Sequence, residues 1–197
     1  MKIIVIGSTG TIGTAVVTAL SSRHEVIGVH RKGEPAVDIT QPAQIRGLFE
    51  RITNVDAVVS CAGGAAWKPL DQLTDEDFAM SLGYKLMGQV NVIRTALTKL
   101  RDGGSITVST GVLAHKPMPG AAAISLVNAG LEGFARAAAL EAPRGIRVNV
   151  VSPPWVTDTL KAFGMDPSIG LTPEQVAAAY VASVEGTQTG AVIEPTK

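Results

Sequence analysis

The opening stretch "MKIIVIGSTGTIG" constrains the fold more than any other part of the chain. Lys2–Ile6 is a short β-branched run without polar alternation, which suits a strand covered on both faces. A glycine-rich turn follows at once, and Thr11–Ser22 then reads as a helix. A strand that feeds a helix through a tight turn is the first half of a parallel crossover unit. The same alternation recurs to the end of the chain. Glu25–His30, Val55–Ser60, Ser105–Ser109, Arg147–Val151 and Ala191–Ile193 read as strands. Pro42–Ile52, Thr74–Leu82, Tyr84–Leu100, Gly120–Glu141 and Pro173–Glu185 read as helices. Thr40 before Gln41-Pro42, and Thr172 before Pro173-Glu174, read as helix caps. Repeated crossovers of one hand imply a parallel sheet with helices on both faces. No linker or repeat divides residues 1–197, so a single domain is expected.

Composition narrows the function. Hydrophobic residues make up 46% of the chain and charged residues 17%, which argues for a packed core and against disorder. The formal net charge is zero and no block of like charge occurs, which disfavours nucleic acid and anionic membrane as partners. Cys61 is the one cysteine, so no internal disulfide can form, and a reducing cytoplasm is the expected setting. The apolar part of "MKIIVIG" is too short for the core of a signal peptide, and no stretch reaches membrane-spanning length.

The glycine turn is the first chemical motif. Gly7, Gly10 and Gly13, with Ser8, Thr9, Thr11 and Ile12 between them, sit between the first strand and the first helix. Glycines there bend the chain and let a pyrophosphate approach the backbone, while the helix start offers free N–H groups and a positive dipole end. An ordinary tight turn is the competing account. No lysine follows the last glycine, so an ATP-type phosphate loop is disfavoured. The second strand ends in His30, Arg31 and Lys32, with no acid to hold ribose hydroxyls. A guanidinium there suits the extra phosphate of NADP(H) over NAD(H), the alternative being a solvated basic turn.

With these motifs in place the chain resembles the short-chain dehydrogenase/reductase family over nearly its whole length. "GSTGTIG" resembles the family's glycine turn, and "VDIT" its aspartate motif, with Asp38 and Ile39 implied near adenine. "SCAGG" resembles the Asn-Asn-Ala-Gly motif, placing Cys61, Ala62 and Gly63 beside the cofactor, with Cys61 replacing an asparagine. "RVNVVSPPWVTDTL" resembles the Pro-Gly motif that wraps the nicotinamide end, with Pro154 replacing glycine. This implicates Pro153, Pro154, Trp155, Val156 and Thr157, the last as a carboxamide contact. The resemblance implies one doubly wound Rossmann domain of about seven strands. It also implies a homodimer or homotetramer built through helices 84–100 and 120–141, whose small and apolar residues recur at helical spacing.

The departures fall at the family's chemistry. Its proton-transferring tyrosine aligns with Ile124 and its lysine with Asn128, so the first position cannot carry a proton and the second cannot carry charge. The family's serine falls on Ser109 or Thr110, and an asparagine of the preceding helix aligns with Lys85. Lys85 either restores the missing charge at the site or runs to solvent; Tyr84 beside it suits the core. His115 either reaches substrate or is simply solvated, and Trp67 and Trp155 either wall the cleft or pack locally. His24 and His30 lack partners for a metal, and none is expected. Only Val156–Leu171 is left to cover the cleft. Three functions stay open: an NADP(H)-dependent carbonyl or alcohol oxidoreductase with an altered site, a non-catalytic nucleotide-binding sensor or partner-binding protein, and an isomerase or dehydratase. The sequence names no small-molecule substrate.

Overall fold

The computed structural model describes residues 1–197 and shows why Ile3–Ile6 are apolar without alternation. In β1 (Lys2–Ile6), Ile4 and Ile6 enter one core while Ile3 and Val5 enter another across the sheet. Successive strand residues face opposite sides, so a sheet covered twice needs an apolar residue at nearly every position. The elements follow β1 as α1 (Thr11–Ser21), β2 (Glu25–Val29), α2 (Pro42–Arg51), β3 (Ala57–Ser60), α3 (Asp75–Ser81) and α4 (Gly88–Lys99). Then come β4 (Ser105–Ser109), α5 (Ala122–Glu141), β5 (Arg147–Val151), α6 (Thr157–Ala162), α7 (Pro173–Glu185) and β6 (Val192–Ile193). The strands form one parallel sheet in the order β2-β1-β3-β4-β5-β6. Helices α1 and α7 pack on one face through Val16, Leu20, Val176 and Tyr180. Helices α2, α4 and α5 cover the other through Ile45, Leu48, Val92, Ile93 and Leu131.

This is a doubly wound Rossmann sheet of six strands, against about seven expected. The difference lies between Val29 and Pro42, where the chain makes only a single parallel bridge, His30 to Ala36, before α2 begins. A further parallel strand would need a crossover of a dozen or more residues, and this segment has no room for one. The sheet's order turns outward from β1 in both directions, to β2 on one side and β3 on the other, so a crevice opens at their C-terminal ends.

Two local details differ from expectation. Thr40 does not cap α2; its hydroxyl donates to Asp38 Oδ1 at 2.8 Å, and Gln41 precedes Pro42 with no side-chain cap. A nearby carboxylate, able to accept from both the amide and the hydroxyl of Thr40, outcompetes the helix start. Thr172 caps α7 as expected, and Thr74 makes the same reciprocal box with Asp77 at α3. The expected break near Leu82 and Tyr84 is instead a wide π turn, Leu82–Met87, joining α3 to α4 without interruption. Such turns bulge a helix outward and recur at functional sites.

Just after this turn, the buried Gln89 ties α4 to the end of β4. Its Nε2 donates to the Ser109 carbonyl at 2.8 Å, and its Oε1 accepts the Ser109 N–H at 2.9 Å. Replacing it with leucine keeps the bulk but strands two buried backbone groups. Gln89→Leu is expected to lose about 2–4 kcal/mol in urea unfolding, counting both groups. A loss below about 1 kcal/mol would mean that Ser109 finds other partners.

Candidate functional site

The crevice between β1 and β3 is shaped by backbone before any side chain enters it. Gly7 has φ +84°, and a Cβ there would lie 2.9 Å from the Ala62 amide. A Cβ on Gly13 would collide with the Gly7 carbonyl. Gly10 differs: its nearest neighbour would be 3.5 Å away, so nothing in the protein requires glycine there. The room above Gly10 opens on a groove of about 510 Å³ lined by Gly7, Thr9, His30, Arg31, Ile39, Cys61, Ala62 and Gly63. No side chain caps α1, and the amides of Thr11, Ile12 and Gly13 have no backbone acceptor. Ser8 forms the turn's floor, its carbonyl accepting from the Thr14 hydroxyl at 3.2 Å. Free amides at a helix start form an anion site.

At the outer end of this groove the Arg31 guanidinium lies 5.2 Å from the centre of the Tyr84 ring. Tyr84 packs against the core and also lines the groove, holding a cation at its rim. Asp38 is turned aside: its carboxylate accepts from Thr40, while its neighbours Val37 and Ile39 face the groove.

The groove continues into a cleft of about 220 Å³, walled by Ile12, Thr110, Leu113, Ile124, Pro153, Pro154, Trp155 and Val156. Lys85 and Asn128 also line it. Gly63, at φ +126°, makes way for Lys85, whose Cδ would sit 2.9 Å from a Cβ at that position. Burial pulls the ammonium down from 10.5 to about 8, because desolvation disfavours the charged form. The same burial pushes the Cys61 thiol up to about 12, keeping it neutral. Asn128 donates weakly to the Gly111 carbonyl at 3.4 Å, and its buried Oδ1 has no partner. An acceptor left free in a cleft is a place for a ligand hydroxyl.

The structure separates several residues that the sequence left together. Thr110 lines the cleft, whereas Ser109 turns to the far face of the sheet. The Ser109 hydroxyl donates to the Ser60 carbonyl and meets Tyr180 Oη, each at 2.6 Å. Adjacent residues at a strand end point oppositely, so only one of the two could serve. Thr159 lines the cleft and Thr157 does not; Thr157 opens α6 and donates to its neighbour Asp158 at 3.4 Å. His115 stays outside the cleft wall, its Nε2 held 2.6 Å from Glu132 Oε2. Trp67 and Trp155 pack in a tilted pair with centroids 5.6 Å apart, and Phe163 adds to Trp67 at the same spacing. Glu132, Gln89 and Thr159 are the site residues that sequence reasoning missed. Glu132 sits two helical turns past Ile124 on α5, a spacing that would have placed it on the same inner face.

Residues 12–188 match the family model described as enoyl-(acyl carrier protein) reductase. The chain belongs to the short-chain dehydrogenase/reductase family. Among its relatives, hydroxynaphthalene reductase arp2 of Aspergillus fumigatus is 30% identical over 148 residues, which is 71% of this chain and 54% of that protein. Carbonyl reductase family member 4 of Xenopus laevis is 30% identical over 163 residues, 75% of this chain and 69% of that one. The crystal structure of protein lin1944 from Listeria innocua superimposes with a TM-score of 0.95 at 36% identity, covering 100% of both chains. The short-chain dehydrogenase/reductase described here spans about half the length of the first curated relatives it matches, from 46% to 58%. No helix is long and apolar enough to cross a membrane.

In this short-chain dehydrogenase/reductase, Lys85 costs stability. The unfolded chain keeps the lysine proton up to pH 10.5, but the folded chain keeps it only to about 8. The penalty is therefore complete below pH 8 and fades between about 8 and 10.5. Lys85→Met is expected to exceed the parent by about 2–3 kcal/mol at pH 7, after a discount for residual exposure. That gap should close as pH approaches 10.5 in paired urea titrations. A gap that is absent, or unchanged with pH, would place the ammonium in water.

Proposed function

We propose that the protein is an NADP(H)-dependent carbonyl or alcohol oxidoreductase whose proton-transfer residues differ from the family's usual pair. The observation that carries the cofactor choice is the groove itself. It joins an open glycine position and uncapped α1 amides to a basic rim at Arg31 with no acid at the end of β2. The residues fit the group in chemistry: amides for the pyrophosphate, a guanidinium for the 2′-phosphate, and the unpartnered Asn128 Oδ1 for a ribose hydroxyl. Bound there, the nicotinamide supplies or accepts hydride.

The chain's own residues do the rest. Thr110 and Lys85 present a hydroxyl and a cation to the reacting oxygen, in the region where Ile124 stands at the position of the family's tyrosine. Apolar walls from Leu113, Ile124 and Trp155 exclude water and favour a hydrophobic carbonyl compound. Relatives named as a hydroxynaphthalene reductase and a carbonyl reductase support this substrate class. Ile124 in the cleft wall also favours a second reading, in which the protein binds nucleotide without catalysis and acts as a sensor.

Leu126 and Leu140, 49% and 90% exposed on α5, and Met87 at the start of α4 favour a homo-oligomer through these helices. A monomeric mass at micromolar concentration in light scattering would remove that interface.

Fluorescence titration and turnover test the enzyme reading together. NADPH should bind more tightly than NADH, and Arg31→Ala should erase about 1.5–3 kcal/mol of the preference. NADPH should be consumed with at least one member of a panel of aldehydes, ketones and quinones. Tight NADPH binding without any turnover would favour the sensor, and equal affinities would end the NADP assignment.

A further inference from the structure

Behind the cleft wall lies a buried acid that the fold does not need. Glu132 is fully buried on α5. An isolated carboxylate at such depth costs several kcal/mol unless bonded and paired. Both its oxygens are engaged. Thr110 Oγ1 donates to Oε1 at 3.1 Å, and His115 Nε2 lies 2.6 Å from Oε2. Arg136 stands 3.8 Å from Oε2 and adds positive charge from one turn further along the helix. Thr110 lines the cleft, and the His115 side chain is 49% exposed. A continuous path of three side chains therefore runs from the cleft to water.

We propose that Thr110, Glu132 and His115 form a proton relay that supplies the substrate oxygen, so that Thr110 is the catalytic donor and Glu132 and His115 recharge it. The inference rests on the oxidoreductase reading above. In carbonyl reduction a doubly protonated His115 gives its Nε2 proton to the Glu132 carboxylate at Oε2, which leaves a neutral imidazole and a neutral carboxyl group. A half-turn of the neutral carboxyl group presents that proton to Thr110 Oγ1. Thr110 takes it while giving its own proton to the substrate oxygen, and the adjacent carbon receives hydride with its electron pair. His115 then recovers a proton from water. Each transfer breaks one N–H or O–H bond and forms another, and no net charge remains in the cleft. Oxidation of an alcohol runs the same steps backwards. A hydroxyl can turn between acceptors without moving its oxygen, which is what the inner end of such a relay requires. Proton transfer needs groups within about 2.6–3.2 Å of one another, and both links lie in that range.

The test uses the whole chain with NADPH and whichever panel carbonyl it reduces. Glu132→Gln keeps shape and hydrogen-bonding oxygen but cannot carry the proton, and kcat should fall on the order of 10²-fold or more with KM little changed. His115→Ala, at a half-exposed position that should fold normally, should also lower kcat, and added imidazole should restore much of the loss. A residue that only props up the wall would not be rescued by imidazole. Independently of turnover, proton NMR of the nucleotide-free protein should show a low-field exchangeable proton from the 2.6 Å His115–Glu132 bond, lost in both variants. Unchanged kcat in both variants, with the parent active, would overturn the relay and leave the oxidoreductase reading standing. Absence of the low-field proton in the parent would also overturn the relay alone. A parent that binds NADPH but reduces nothing would end the oxidoreductase reading and the relay with it.

Discussion

The close passage of Gly7 over the backbone of Cys61 and Ala62 is the constraint from which the site follows. Both strands must end at the same level, and the turn after β1 must cross within 2.9 Å of the loop after β3 where any Cβ would sit. That contact fixes the floor of the groove, and the parallel register of β1 with β3 and of β3 with β4 carries the level across to Ser109. The residue after it, Thr110, then emerges at the cleft. The groove and the cleft therefore share one rigid edge, and their spacing is set by strand pairing and not by loops.

Polar groups inside the sheet perform the finer positioning. Gln89 holds the last residue of β4 by both its backbone groups, and Tyr180 and Ser60 hold its side chain. Ser109 is thus held through its amide, its carbonyl and its hydroxyl, which fixes the strand end from which Thr110 leaves. A buried amide with two bonds contributes by what its loss would leave unpaired, more than by its own net bond energy. The π turn at Leu82–Met87 belongs to the same arrangement, since it carries Lys85, which reaches the cleft, and leads directly into Gln89, which clamps the strand.

How much of this could be read from the chain depends on the range of the interaction involved. Strand and helix order was legible because two-sided burial writes itself into the apolar runs of the central strands β1 and β3, and the glycine turn was legible because its context is local. The choice between Ser109 and Thr110 was not, because pleat direction depends on where β4 ends. Thr159 was not legible for a similar reason: the start of α6 fixes which hydroxyl faces the cleft, and "VTDTLKAFG" carries no cap that marks it. Thr40 was misassigned because Asp38, two residues back, competes for its hydroxyl. Glu132 was missed for a different reason. Its partners lie 22 and 17 residues away along the chain, so a lone acid in an Ala-rich helix looks like a solvated one.

Lys85 and Ile124 together set the electrostatic character of the cleft. The lysine shares the cleft with the aliphatic Ile124 and has no carboxylate to neutralise it, and burial, partly opposed by Cys61, moves it to about 8. Near neutral pH the site thus holds a cation at a cost, in a wall that is otherwise apolar. An anionic dinucleotide entering the adjoining groove would reverse that balance. Its charge would favour the ammonium and raise the lysine's proton affinity, so that part of the folding penalty returns as binding energy. On the proposed oxidoreductase reading, the same field would favour negative charge on a substrate oxygen. The cation is thus costly in the free protein, and its position over Gly63, between groove and cleft, would couple it to an anion bound there.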